Sequence, residues 1–68
     1  MAHFDAYLCR MHRGELVPFD TATVDASDKD EATAMARKWA GTVEAHEDAW
    51  LQIRLDGKSI AVFEPGKF

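Results

Sequence analysis

The chain has 68 residues, a formal net charge of −4 and a single cysteine. That length allows one domain and excludes a large enclosed pocket, and one cysteine excludes an intramolecular disulfide. The acidic balance opposes sequence-independent nucleic-acid binding, which needs clustered Lys and Arg. With 47% hydrophobic and 29% charged residues, the composition is that of a folded chain rather than a disordered one.

Phe4 to His12 alternates as a strand, one side carrying Phe4, Ala6, Leu8, Arg10 and His12 and the other Asp5, Tyr7, Cys9 and Met11. Both sides are mixed, so the pattern does not say which is buried. Gly14 marks a turn, and Leu16 to Ala26 reads as a second strand. Pro18 cannot donate to a ladder, which predicts an edge position for that strand. Either Arg13-Gly14 or Gly14-Glu15 can form the tip of this first hairpin.

Ser27 and Asp28 open a helix, and Asp28 with Glu31 fits a capping box. Ala32, Met35, Ala36, Trp39 and Val43 follow the spacing of one buried stripe, and Gly41 places the helix end between Ala40 and Ala45. Glu44 to Asp48 is a polar loop. Trp50 to Phe63, WLQIRLDGKSIAVF, then centres on Asp56-Gly57, the dipeptide suited to a two-residue type I′ turn. A regular hairpin about that turn pairs Ile53 with Ile60, Leu51 with Val62 and Trp50 with Phe63. It predicts a core face of Leu51, Ile53, Ile60 and Val62. The second face would carry Trp50, Gln52, Arg54, Ser59, Ala61 and Phe63, joined by Leu8, Arg10 and His12 if the even side of the first strand lies there. Pro65-Gly66 ends the last strand.

The predicted fold class is α+β: a two-layer sandwich of order ββαββ over residues 1–68, with one helix on one face of a four-stranded, mainly antiparallel sheet. The sheet order 2-1-3-4 puts Pro18 and Pro65 at the edges.

The candidate chemistry is sparse. Cys9 and His12 have a C-x-x-H spacing, but on a strand they point to opposite faces, and a zinc site wants four converging ligands. His46 lies among Glu44, Glu47 and Asp48 without a partner nucleophile. Gly14, Gly41, Gly57 and Gly66 are scattered and form no phosphate-cradling loop. The expectation is therefore no enzyme, no cofactor and no metal ligand set. The aromatic face suits a protein interface, where Trp, Phe and Arg are enriched. Its interface candidates are Trp50, Phe63, Arg54, Leu8 and Arg10.

The pattern W-x-I-x-x-x-D-G-x-x-x-x-x-F, here WLQIRLDGKSIAVF after the helix segment DKDEATAMARKWA, resembles a group of short, uncharacterised bacterial ββαββ proteins. That resemblance implies the fold and no activity. The helix start DKDEA is also similar to the D-x-x-E-A helix start of HicB-like antitoxins, which implies a nucleic-acid-binding or regulatory module as the alternative. Such a module would need Arg10, Arg13, Arg54 and Lys58 to converge. The leading expectation is a small protein acting by protein association, as a homodimer, since a short chain without staples gains stability by burying apolar surface against a partner. No apolar run reaches membrane-span length and no secretory leader pattern is present, which predicts a cytoplasmic location.

Overall fold

The computed structural model describes all 68 residues, Met1–Phe68. The chain order is β1 (Ala2–His12), β2 (Glu15–Ala26), α1 (Lys29–Ala40), a 3₁₀ turn (His46–Asp48), β3 (Trp50–Leu55) and β4 (Lys58–Phe63). The four strands form one antiparallel sheet in the order β2-β1-β3-β4, and α1 packs on one side of it. This is the α+β architecture that the sequence predicts, with Pro18 on an edge strand.

Both hairpins turn on two residues with positive φ. Asp56 and Gly57 have φ of 53° and 79°, and Arg13 and Gly14 have φ of 52° and 82°. These are the type I′ signs at both central positions, which match the right-handed twist of the flanking strands. The first tip is thus Arg13-Gly14, with His12 opposite Glu15. Arginine carries a Cβ into the left-handed region there, a strained choice that glycine or asparagine would avoid.

The helix is capped as its sequence implies, with one change. The backbone N–H of Glu31 donates to Asp28 Oδ1 at 2.8 Å, while Glu31 Oε1 accepts from the N–H of Ser27 at 3.0 Å, one residue beyond the usual reciprocal position. Asp30 and Glu31 sit in the first turn and Arg37 and Lys38 in the last, complementing the helix dipole. The buried side of α1 is narrower than predicted. Ala32, Ala36 and Ala40 are fully buried, while Met35 is 40% exposed and Trp39 and Val43 are half-buried. Three alanines let the helix approach the sheet closely, which leaves the larger stripe residues at the rim.

Beneath the helix, the core joins Phe4, Ala6 and Leu8 of β1 with Val24 and Ala26 of β2 and Leu51 and Ile53 of β3. The even residues of β1 are therefore the inner ones. The predicted register of the second hairpin holds next to the turn, where Leu55 faces Lys58 and Arg54 faces Ser59, and is overturned beyond it. A bulge at Ile53/Arg54 shifts the ladder by one residue, so Ile53 faces Ala61, Gln52 faces Val62 and Leu51 faces Phe63. Ile60 to Phe63 are all apolar and carry no alternation, so packing sets the register. The bulge puts Ile60, Ala61 and Phe63 against the core and sends Val62 to the other side, where it is 46% exposed. A second bulge, at Leu8/Cys9, falls beside Pro18 and Phe19 in β2.

Candidate functional site

With α1 on one side, the opposite side of the sheet has no covering element. Its residues follow from the register. Three rows cross the sheet: Thr23, Asp5, Arg54 and Ser59; Thr21, Tyr7, Gln52 and Val62; and Pro18, Cys9 and Trp50. Directly paired residues of antiparallel strands share a face, so each row is a line of neighbouring side chains.

The five predicted interface residues do not form one surface. Trp50 and Arg54 lie on this uncovered face. Phe63 lies on the helix side, where the Arg37 guanidinium stacks over its ring at 4.8 Å. The one-residue bulge separates it from Trp50. Leu8 is fully buried in the core. Arg10 is exposed beyond the last β1–β3 pair, with its guanidinium 4.5 Å from the centre of the Phe19 ring. The expected second face of the hairpin supplied Gln52 and Ser59 as well, while sequence reasoning missed Tyr7 and Val62 as members of the face. The alternation of β1 could have supplied Tyr7, but only once the even side was known to be buried. At the C-terminus, Phe68 packs against the core cluster that holds Phe4 and Leu51.

The face has a chemical centre in Arg54. Its guanidinium lies 5.6 Å from the centre of the Tyr7 ring. Its Nε is buried and has no hydrogen-bond partner, although a dry donor ordinarily finds one. Asp5 is its direct cross-strand partner, yet the two form no ion pair; the chain's ion pairs are His3–Asp25 and His46–Glu47. Cys9 is fully buried on this face but stands outside the core cluster. Burial raises the pKa of its thiol, and the positive charge of Arg54 works against that rise.

The remaining polar groups do not build a second site. Cys9 is buried while His12 is exposed, and no three His, Cys, Asp or Glu side chains gather as a metal-holding group. His46 Nδ1 lies 2.7 Å from the Val43 carbonyl and 3.9 Å from Glu47. An open groove of about 490 Å³ between α1 and β2 is lined by Val24, Met35, Lys38, Trp39 and Thr42. Its one hydroxyl, Thr42 Oγ1, donates to the Trp39 carbonyl at 2.6 Å. Arg10 and Arg13 lie at the β1–β2 turn, whereas Arg54 and Lys58 lie at the β3–β4 turn. The β1–β3 register puts those turns at opposite ends of the sheet, so the four cations do not converge.

The edges of the sheet are blunted. Asp20 Oδ1 accepts the backbone N–H of Thr21 at 2.8 Å, Pro18 supplies no N–H, and β4 carries its bulge. Such devices discourage edge-to-edge strand addition and leave the face as the larger free surface. No protein-family model, curated protein or solved structure matches the chain. No helix is long and apolar enough to cross a membrane.

Proposed function

We propose that this chain is a protein-association module that works through the helix-free face of its sheet. The observation that carries this reading is Arg54. A guanidinium beside the Tyr7 ring with no carboxylate paired to it, on a face that also carries Trp50 and Val62, describes half of a recognition surface. Aromatic residues and arginine dominate the energetics of protein interfaces because they desolvate a large area while keeping a polar end. Cytoplasmic action without a cofactor belongs to the same reading.

A photo-crosslinking residue tests it. Placed at Gln52, in the middle row of the face, it should capture protein in the cells that make this chain. Placed at Lys29, exposed at the start of α1, it should capture none. A Gln52 probe that yields no adduct overturns the reading.

A further inference from the structure

Resting on that association reading, we infer that the occupant of the helix-free face is a second copy of this chain. The two sheets pack face to face about a two-fold axis that runs along the strands between β1 and β3. This axis exchanges β1 with β3 and β2 with β4. Each residue of β1 then stands over its own cross-strand partner in the other copy. Asp5 meets Arg54 of the second copy and Arg54 meets its Asp5, so the symmetry forms the pair twice. The chain leaves these two charges unpaired within itself. Packed sheets lie about 10 Å apart, a gap that an arginine and an aspartate can bridge. In the other rows, Tyr7 stands over Gln52 and Cys9 over Trp50.

Charge selects this axis over the alternative. A two-fold axis across the strands, through the Tyr7–Gln52 row, would lay Asp5 over Cys9 and Arg54 over Trp50. That arrangement buries a carboxylate with no cation, a costly outcome. The β2 edge is also a poor self-partner: Glu15, Asp20 and Asp25 are its only charged residues, and its Thr21 N–H is already engaged.

The size of the face agrees. The Cα trace spans 34 × 23 × 17 Å, with the sheet in the broad dimension. A face of that outline offers roughly 600 Å² per copy, or on the order of 1,200 Å² in total, the lower end of specific, stable interfaces.

Charge reversal tests the pairing between copies. The mass of the wild type, of Arg54→Asp, of Asp5→Arg and of an equimolar mixture of the two variants would be measured by native mass spectrometry and light scattering. The wild type should be a dimer, and each variant alone should lose affinity by about 100-fold. The mixture should regain the dimer as a one-to-one heterodimer, because every Asp then faces an Arg again. A wild-type monomer, a dimer indifferent to both reversals, or a mixture that stays monomeric would overturn the inference. Should either reversal fail to fold, Asp5→Asn and Arg54→Gln, which remove the charge alone, must each weaken the wild-type dimer. The Gln52 crosslink separates the two levels of the argument. A self-adduct supports the inference. An adduct with a different protein, beside a monomeric isolated chain, overturns the second copy and keeps the association reading.

Discussion

Replacing Phe63 with alanine should cost this domain far more than replacing Val62 with threonine. A regular hairpin would reverse that ranking. Truncating a fully buried phenylalanine costs about 3–5 kcal/mol. Phe63 is half-buried against the core, so roughly half of that applies. Loss of the Arg37 stack, 4.8 Å from the ring centre, adds about 0.5–1 kcal/mol. The total is about 2.5 kcal/mol. Unfolding entropy of about 2.1 cal/mol/K per residue gives roughly 0.14 kcal/mol/K for this chain, so Tm should fall by about 18 °C. Val62 is 46% exposed beside Gln52, and a β-branched replacement there should change stability by less than about 0.5 kcal/mol, under about 4 °C. Thermal denaturation followed by far-ultraviolet circular dichroism, extrapolated to low protein concentration, compares the two variants on single chains. A larger loss for Val62→Thr than for Phe63→Ala would refute the bulge and the face assignment built on it.

Other outcomes follow from the same geometry. Asp28→Ala removes the acceptor that holds the Glu31 N–H at 2.8 Å and should cost about 1 kcal/mol, lowering Tm by about 7 °C in the same assay. Arg13→Asn should raise Tm, by about 0.5–1 kcal/mol in stability, since asparagine tolerates the left-handed conformation that Arg13 adopts at φ 52°. Burial raises the pKa of Cys9 in the folded chain, so the neutral thiol is the form that the fold favours. Its contribution is intact below the ordinary thiol range and is lost as pH rises through the raised folded value. Melting curves from neutral to about pH 10 should therefore show a shallower alkaline decline for Cys9→Ala than for the wild type.

Much of the architecture was legible because several local signals agreed. Asp56-Gly57 specified its turn, Asp28 with Glu31 specified the helix start, and Pro18 specified an edge. Together they gave the strand order. The face assignments were less legible, for two physical reasons. Ile60-Ala61-Val62-Phe63 is uniformly apolar, so nothing in its pattern distinguishes a regular ladder from one shifted by a residue. Which side of β1 is buried depends on α1, whose three alanines decide how closely it approaches. Those two uncertainties placed Phe63 and Leu8 on the candidate surface and left Tyr7 off it. Trp50 and Arg54 fall on the expected side because the extra residue of the bulge, Ile60, lies in β4 and leaves the alternation of β3 intact. What singles out Arg54 is its unpaired state beside Asp5, a property of side-chain geometry with no trace in residue order.

The central claim is that a second copy covers the helix-free face, and the solution mass of the wild-type chain tests it most directly. Light scattering over a dilution series should give twice the 7.6 kDa chain mass at high concentration, falling toward the single-chain mass only on dilution. A mass of 7.6 kDa at every concentration would contradict it.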